Sequence, residues 1–360
     1  MQRFFYFAVS NLIFYEFVKL MPVERPFIIP IFIPEGGCPH QCAFCNQAAI
    51  TGIKRHLLSP DKLRTLIDQF LQYRGPHRSS VQLSFYGGNF LGLDKNCMTS
   101  LLQTAAVYVD QGKVDSLRFS TRPDTVDEER LEILKEYPVK TIELGVQSMD
   151  DRVLEMSRRG HSAADSEQAT ALLKQRKYEI GLQMMVGLPG DDKDTCLATG
   201  QRIAALSPDF VRIYPTLVLQ NSLLAIWYQK GQYVPLTLEQ GISWVKPLYL
   251  LFREYGIKVI RMGLQPTDEL SDGTTVLAGP YHPAFGHLVF SDVFLDMTLS
   301  QLASKADLTD PVVIHVHPGS IPKLRGHKNR NLREIKSRYH IETIHIVADP
   351  SLDESAVRVI

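Results

Sequence analysis

Apolar and polar positions follow two patterns in turn along the first two thirds of the chain. Short apolar runs, typical of buried strands, alternate with longer segments whose apolar residues return every three or four positions, as on one face of a helix. The strand-like runs lie at 26–34, 81–86, 116–121, 140–146, 178–186 and 210–218. The helix-like segments lie at 61–73, 93–110, 127–136, 150–157, 162–175, 192–205 and 238–255. This order predicts six βα units.

Repeated βα units with short connections predict a parallel sheet that is covered by helices. We therefore predict an α/β fold, a partial (β/α)6 TIM-like barrel, whose chemistry lies in the loops at the C-terminal ends of the strands. After about residue 256 the pattern changes. It gives a further strand-like segment at 256–265, a loop at 278–286, a helix at 287–302, a strand at 311–319, a helix at 329–339 and a strand at 341–349.

These patterns divide the chain of 360 residues into three parts. We predict an N-terminal extension over residues 1–20, a core domain over 21–265 and a small C-terminal α/β extension over 266–360. Residues 4–20 are apolar and aromatic, but Glu16 and Lys19 and the short length disfavour a membrane span. A signal peptide would need a basic start and a small-residue cleavage site. We favour an upstream start, with Met21 beginning the working protein, or a loosely attached helix.

Composition narrows the class of protein. The 39 basic residues balance the 39 acidic ones, so any nucleic-acid surface has to be a local patch. Five cysteines are too few and too clustered for a disulfide framework, which favours a reducing cytoplasm. We expect no stable membrane association.

Three of the five cysteines lie within eight positions, directly after the first strand-like run. The segment is Cys38-Pro39-His40-Gln41-Cys42-Ala43-Phe44-Cys45. A zinc site would need a fourth ligand, which His40 could supply. A redox Cys-x-x-Cys pair would leave Cys38 without a role. Three thiolates can also hold three irons of a 4Fe-4S cluster and leave the fourth iron open.

This segment resembles the CxxxCx-aromatic-C signature of the radical S-adenosylmethionine (SAM) enzymes, and the six βα units are similar to the partial barrel of that superfamily. The resemblance implies that Cys38, Cys42 and Cys45 hold a 4Fe-4S cluster and that SAM chelates the open iron. Reductive cleavage of SAM then gives a 5′-deoxyadenosyl radical that abstracts hydrogen from the substrate. The cofactors carry this chemistry, and the protein supplies geometry and excludes water.

The resemblance also implies which residues surround SAM. They are Phe44, Tyr86, Gly87, Gly88, Thr121, Gln147, Arg159, Gln183, Gly187 and Tyr214. Phe44 is expected beside adenine, and the glycines of the YGGNF turn permit close approach of the backbone. Gln147 is expected at the ribose or carboxylate of SAM, and Arg159 at its carboxylate, which suits a guanidinium. Thr121 and Arg122 form a polar pair at the mouth. No catalytic residue is assigned.

The branch of the superfamily is indicated by further motifs. CPHQCAFCNQ, STRPD, ELGVQSMDD, RRGH, VGLPG, IRMGLQPTDEL and AGPYHPAFGHLV resemble the catalytic subunit of the Elongator tRNA-modifying complex and its short bacterial relatives, from about residue 26 to 290. That subunit carries an acetyltransferase domain, and the 70 residues after 290 are too few for one. The resemblance implies tRNA as partner and an electron donor such as flavodoxin or ferredoxin.

Residues 317–336, which we call the C-terminal basic segment, form a local basic patch. Its cations are Lys323, Arg325, Lys328, Arg330, Arg333 and Lys336. Gly319-Ser320 precedes a predicted helix, where a phosphate could bind. The segment suits contact with an RNA backbone, or it is a solvated helix face. His315 and His317 share one strand face and are expected to pack against the barrel.

Three functions follow from these observations. The first is a radical SAM enzyme acting on tRNA. The second is the same chemistry on a small molecule such as a porphyrinogen, as in oxygen-independent coproporphyrinogen dehydrogenase, whose signature has a further cysteine where this chain has Gln47. The third is a binding protein that holds an iron–sulfur cluster or zinc without turnover. The substrate is not determined by the barrel, because one fold serves many substrates.

Overall fold

Seven parallel strands form a curled half-barrel sheet in the computed structural model, which describes residues 26–48, 58–75, 80–271, 273–305 and 310–360. The strands, in spatial order, are β1 (Phe27–Ile33), β2 (Val81–Gly87), β3 (Ser116–Thr121), β4 (Val139–Gln147), β5 (Glu179–Val186), β6 (Phe210–Pro215) and β8 (Lys258–Met262). The predicted partial barrel is confirmed. Its seventh strand, β8, comes from the strand-like segment at 256–265. The predicted extension over 1–20 lies outside the described residues.

Helices follow the strands, and most of them cover the convex face of the sheet. They are α1 (Pro60–Leu71), α2 (Lys95–Asp110), α3 (Glu128–Leu134), α4 (Asp151–Met156), α5 (Ala163–Gln175), α6 (Lys193–Ala205), α7 (Leu223–Gln229) and α8 (Leu238–Glu254). Each begins after a Ser, Thr or Asp whose side chain accepts a hydrogen bond from a backbone N–H of the first turn. These caps satisfy donors that would otherwise lack a partner, so the sequence itself fixes where the helices begin.

The two faces of the sheet are buried to different degrees. On β1, Ile29, Ile31 and Ile33 are buried in the core beneath the helices, whereas Pro30 and Phe32 between them are half-buried on the concave face. The same alternation holds on β5 and β6. A complete TIM barrel fills its interior with packed side chains. In this half-barrel the concave face is partly accessible along β1, β5 and β6, whereas both faces of β2, β3 and β4 are largely buried.

One predicted strand is shorter than expected. The strand predicted at 210–218 ends at Pro215, because the chain turns there and Thr216 donates both its N–H and its hydroxyl to the Val186 carbonyl, at 3.0 and 2.8 Å. The residues beyond form β7 (Val218–Leu219), which pairs antiparallel with β9 (Val276–Ala278). This two-stranded piece and helix α7 were not predicted.

The C-terminal part contains a second, smaller sheet. Its central strand β10 (Val312–Val316) is parallel to β11 (Ile344–Ala348) and antiparallel to β12 (Val357–Val359). Four helices precede or connect these strands: α9 (Asp268–Ser271), α10 (Phe285–Ala303), α11 (Ile321–Arg325) and α12 (Arg330–Tyr339). The predicted helix at 287–302 and strands at 311–319 and 341–349 are confirmed within a few residues.

Helix α10 joins the two hydrophobic cores. Its first turns, with Phe285 and Val289, pack into the barrel core, and its later turns, with Phe294 and Leu302, pack against the small sheet. Lys246 of α8 also forms ion pairs with Asp292 and Asp296 of α10, at 2.7 and 2.6 Å. The domain boundary at 265/266 stays a prediction. Among the described residues, no helix is long and apolar enough to span a bilayer.

Candidate active site

A cavity of about 400 Å³ opens at the C-terminal ends of the strands, where the fold predicts chemistry. It gathers most of the residues that the sequence indicated. Those that line it are Cys38, Cys42, Cys45, Phe44, Gly87, Gly88, Thr121, Gln147, Arg159 and Gln183. Arg122 also lines it, whereas Tyr86, Gly187 and Tyr214 do not. Residues from the cysteine segment, β2, β3, β4 and β5 therefore meet in one place.

The cysteine segment is held by backbone hydrogen bonds to two helices. The Ala43 N–H donates to the Ser157 carbonyl at the end of α4, at 2.9 Å. The Ala43 carbonyl accepts from Leu224 N–H at the start of α7, at 2.8 Å. Phe44 packs against an apolar cluster that includes Leu224 and Ala225 of the same helix. The unpredicted helix α7 thus fixes the position of the predicted cysteine segment.

The three thiols lie close enough to influence one another. Burial, followed by the neighbouring thiols Cys42 and Cys38, raises the pKa of Cys45 to about 12. Burial and Cys42 likewise raise the pKa of Cys38. The thiols of Cys38 and Cys45 therefore resist ionisation by themselves, and bound iron would reverse this because a coordinating thiol is deprotonated. The donor set therefore fits an iron–sulfur cluster.

The spacing of these side chains bears on the zinc alternative. Within the described ranges, no group of three or more His, Cys, Asp or Glu side chains is placed to hold a single metal ion. His40, the suggested fourth zinc ligand, is exposed and lies against Gly160, where a Cβ atom would come within 2.4 Å of its ring. A 4Fe-4S cluster places each thiolate on a different iron, which requires a wider spacing than one ion does.

The Gly87-Gly88 turn after β2 brings backbone groups to the cavity. Gly87 has a φ of +100°, which only glycine adopts readily. A Cβ atom on Gly88 would lie 2.2 Å from the Gly36 carbonyl oxygen, so this turn fits against the start of the cysteine segment only without a side chain. Gln47 reinforces the contact, since its amide accepts from Glu35 N–H and donates to the Gly87 carbonyl, both at 2.5 Å.

Asn89, which follows the two glycines, connects three parts of the site. Its side chain is fully buried and donates to the Gly37 carbonyl at 2.9 Å. Its carbonyl oxygen accepts from the Thr121 hydroxyl at 2.7 Å and from the Arg122 N–H at 3.0 Å. Sequence reasoning missed this residue. A polar amide directly after a buried strand and a double-glycine turn is the signal that could have found it.

Gln147 owes its position to an irregularity in β4. The register between β4 and β5 shifts between Gly145 and Gln147, and Gln147 has a φ of +67°. Such bulges turn a side chain in a new direction and are frequent beside active sites. A Cβ atom on Gly145 would lie 2.7 Å from Arg159 and 2.8 Å from the Gln147 amide. Glycine at this position therefore lets both polar side chains approach.

Two buried arginines line the cavity, and each has one nitrogen without a hydrogen-bond partner. Arg159 donates to Cys42 Sγ at 3.2 Å and to the Gly145 carbonyl at 2.6 Å, while its Nε has no partner. Arg122 forms two bonds of 2.9 Å with Asp124, while its Nη1 has no partner. Buried polar atoms normally find partners. A carboxylate in the cavity would supply them, and this fits the amino-acid end of SAM.

His161 lies behind these arginines and does not add to their charge. It is buried, and burial, together with the charges of Arg159 and Arg122, lowers its pKa to about 3. The imidazole is therefore neutral at physiological pH. The positive charge at this end of the cavity comes from guanidinium groups.

The three predicted residues that do not line the cavity lie near it. Tyr86 and Tyr214 lie on the concave face, where their hydroxyls accept from Arg212 at 3.4 and 3.3 Å. Gly187 lies at the end of β5 with a φ of +74°, and its carbonyl accepts from the Tyr233 hydroxyl at 2.6 Å. Their expected roles around SAM stay predictions, as do those of the residues that line the cavity.

Comparison with protein families agrees with this geometry. The model of the radical SAM superfamily matches residues 32–203, and that of the radical SAM C-terminal domain matches residues 208–293. The chain belongs to the radical SAM superfamily. It is an enzyme of that class, whose members use a 4Fe-4S cluster and SAM, and it carries the three cysteines of the cluster motif.

Two curated relatives and one solved structure illustrate what the chain is similar to. The tRNA uridine(34) acetyltransferase of Dehalococcoides mccartyi is 27% identical over 230 residues, which cover 55% of this chain and 50% of that protein. Protein YhcC of Escherichia coli is 28% identical over 215 residues, covering 58% and 65%. The archaeal Elp3 of Methanocaldococcus infernus, with an N-terminal deletion, superposes with a TM-score of 0.58 at 20% identity and covers 74% of this chain and 62% of that one.

The sequence relatives and the solved structure support different conclusions about this chain. The chain spans half the length of the Dehalococcoides mccartyi acetyltransferase that it matches. The Elp3 structure supports the fold of the radical SAM superfamily in this chain. The substrate of the present protein is a separate question, which depends on its own residues.

Proposed function

We propose that this radical SAM enzyme cleaves SAM reductively and uses the resulting radical to modify a tRNA nucleoside. The observation that supports it best is the cavity itself, which brings three cysteines, two buried arginines and the Gly87-Gly88 turn together at the strand ends. The names of relatives, a tRNA uridine(34) acetyltransferase and an Elongator complex protein 3, favour tRNA as the substrate class.

The residues of the cavity divide the binding task among them. Cys38, Cys42 and Cys45 would hold the cluster, which supplies the electron that cleaves SAM. Arg159 and Arg122 would bind the carboxylate of SAM through their unpartnered nitrogens, and charge-assisted bonds of this kind are the strong ones. Gln147 would fix the ribose or the carboxylate. Phe44, packed against the cluster around Leu224, would cover adenine and exclude water.

The C-terminal basic segment offers a surface for the RNA backbone. Arg325, Lys328 and Arg330 are all exposed. Within the same segment, the ring of His327 lies 5.6 Å from that of His282, in the loop between β9 and α10. β9 pairs with β7, which follows the C-terminal end of β6, so this contact would place the segment towards the end of the barrel that carries the cavity. Phosphate contacts there would orient RNA towards the site.

Two features make the C-terminal basic segment a weaker binding site for RNA phosphates than the sequence predicts. Lys323 is half-buried, since its Nζ lies over the rings of Phe290 and Phe294, and it donates to Ser320 Oγ at 3.2 Å. The helix after Gly319-Ser320 is only five residues long, so its N-terminus is a weak phosphate site. The His315 imidazole lies 3.7 Å from Asp349 of the C-terminal part, and its expected packing against the barrel stays a prediction.

The remaining partners follow from the chemistry. An enzyme of this class needs a one-electron donor, and a small flavodoxin or ferredoxin would fill that role. A tRNA substrate would also agree with the cytoplasmic location predicted from the few cysteines.

Anaerobic reconstitution tests the proposal. The protein is loaded with iron and sulfide, reduced with dithionite and assayed for 5′-deoxyadenosine by mass spectrometry. Wild type and Cys97→Ala should form the product, because Cys97 lies on α2 outside the cavity. Cys42→Ala should lose both the cluster absorbance and the product. A cluster-loaded wild type that forms no 5′-deoxyadenosine would refute the enzymatic proposal.

A further inference from the structure

The concave face of the half-barrel carries a buried charged cluster that the SAM cavity does not use. Glu143 on β4 is fully buried, and its carboxylate pairs with Arg118 of β3 and Arg212 of β6, at 2.6 and 2.7 Å. Gln183 on β5 donates to the same carboxylate at 2.9 Å and also lines the SAM cavity. The charged cluster is therefore the next layer of the barrel interior, directly behind that cavity.

The carboxylate has little capacity left for further cations. Both of its oxygens are shared by two guanidiniums and one amide. Arg118 is committed to this cluster, since it also donates to Gln82 at 3.3 Å and lies over the Phe210 ring. The acidic residue of β5 is Glu179, which lies at the N-terminal end of the strand, away from the cavity. Its carboxylate accepts a hydrogen bond from the Thr141 hydroxyl.

Arg261 adds a third guanidinium to the same face. In the parallel pairing of β6 and β8, Arg261 is the register partner of Arg212, and their neighbours Ile213 and Met262 both point into the helix-covered core. The two arginines therefore project from the concave side on adjacent strands, whose backbones lie about 5 Å apart. Within the described part of the chain, Arg261 forms no hydrogen bond or ion pair, although it is half-buried.

The two tyrosines that do not line the SAM cavity lie beside this arginine pair. Arg212 donates to the hydroxyl oxygens of Tyr86 and Tyr214, at 3.4 and 3.3 Å. Each hydroxyl that accepts from a cation keeps its own hydrogen for donation to another group. Arg212 thus orients two O–H donors on the concave face, and both tyrosines are only half-buried there.

We propose that this part of the barrel interior binds an anionic group of the substrate, a phosphate or a carboxylate, through Arg261 and the hydroxyls of Tyr86 and Tyr214. Arg118 and Arg212 pair with the single carboxylate of Glu143, and Arg261 on the adjacent strand adds a guanidinium that has no acidic partner among the described residues. Positive charge that is not compensated in this partly buried space favours an anion. Guanidinium suits either oxyanion as a bidentate donor. The cluster of Arg118, Glu143 and Arg212 is the rigid support that orients these donors.

Such a site would fix where the substrate lies relative to the SAM cavity. Gln183 contacts Glu143 on one side and lines the cavity on the other, so an anion held beside Arg212 would lie one residue layer from the cavity that would hold SAM. The inference requires that the concave face receive the substrate. It does not require that the substrate be tRNA, since a small acid would present the same chemistry.

Calorimetric titration of the cluster-loaded protein tests the proposal, with inorganic phosphate and succinate as probes. Arg261→Gln should weaken saturable binding of the favoured anion at least tenfold, whereas Lys258→Gln, which removes an exposed charge from the same strand, should leave it within twofold. Tyr214→Phe keeps the ring and removes one donor, so it should weaken binding roughly two- to tenfold. Unchanged cluster absorbance in each variant shows that the barrel is intact.

The two probes distinguish the source of the anion. Saturable phosphate binding that depends on Arg261 indicates a nucleotide or RNA phosphate, and binding of succinate alone indicates a carboxylate substrate. Absence of saturable binding of either anion by wild type, or equal binding by wild type and Arg261→Gln, overturns the proposal. Neither negative result affects SAM cleavage, which tests the proposed enzymatic function separately.

Discussion

Replacement of Asn89 by alanine should loosen the start of the cysteine segment from the strand ends. The Asn89 side chain is fully buried and forms hydrogen bonds with two backbone groups, the Gly37 carbonyl and the Arg122 N–H. Asn89→Ala leaves both groups without this partner. The Thr121 and Thr125 hydroxyls lie 3.1 Å apart and can still pair with each other. Each orphaned backbone group costs about 1–3 kcal/mol, so we expect the free energy of unfolding to fall by about 2–6 kcal/mol.

Urea titration of the metal-free protein measures this loss. Far-UV circular dichroism reports on the whole fold. In a Trp244→Phe background, the fluorescence of Trp227, which packs against the same apolar cluster as Phe44, reports on the region around the cysteine segment. The local signal should change at lower urea than the global one in the variant, because the lost bonds join the cysteine segment to the barrel. Reconstituted Asn89→Ala should also hold less iron than wild type.

The matched control is Asn96→Ala. Asn96 is exposed in the first turn of α2, and such surface substitutions usually change stability by less than about 0.5 kcal/mol. If Asn89→Ala unfolded at the same urea concentration as this control and retained full iron, the buried amide would not connect the parts of the site.

Three further predictions concern SAM, RNA and pH. Gln147→Ala and Arg159→Ala should each weaken SAM binding about ten- to hundredfold in equilibrium dialysis, with the cluster content intact. The control Arg158→Ala, at an exposed neighbouring position, should bind SAM as wild type does. If all three variants had the affinity of wild type, the placement of SAM would be refuted. Reversal of the three exposed charges in the C-terminal basic segment should weaken tRNA binding and reduce its salt slope by about 0.7 per lost contact, and an unchanged slope in filter binding would identify a solvated face. Burial raises the pKa of Asp191 to about 7, so its stabilising contribution is lost as pH rises from about 4 to 7. Asp191→Asn should gain stability over wild type at pH 8 but not at pH 4 in thermal melts; an equal effect at both values would contradict this.

The barrel could be predicted from the sequence because its strands and helices have local signals. Apolar runs such as 178–186 and capping residues such as Ser162 and Asp192 act within one element, so their effect is visible without knowledge of neighbours. The cysteine segment was identified for the same reason, since its three thiols are adjacent in sequence.

The features that were missed depend on distant contacts. Asn89 joins Gly37 to Arg122, and helix α7 becomes part of the site only because Leu224 donates to Ala43. Arg261 gained its importance from a register that pairs it with Arg212 across 49 positions of sequence. Periodicity does not reveal such pairings, because the sheet brings together residues that have no local relation.

The proposed function depends most directly on whether this enzyme changes tRNA by radical chemistry. The decisive measurement is mass spectrometry of tRNA nucleosides from a strain that lacks the protein, complemented with wild type or with Cys42→Ala. We predict that one modified nucleoside is absent from the deletion strain, returns with wild type and does not return with Cys42→Ala. Identical nucleoside profiles in all strains, from a protein that forms 5′-deoxyadenosine in vitro, would contradict the assignment of tRNA as substrate.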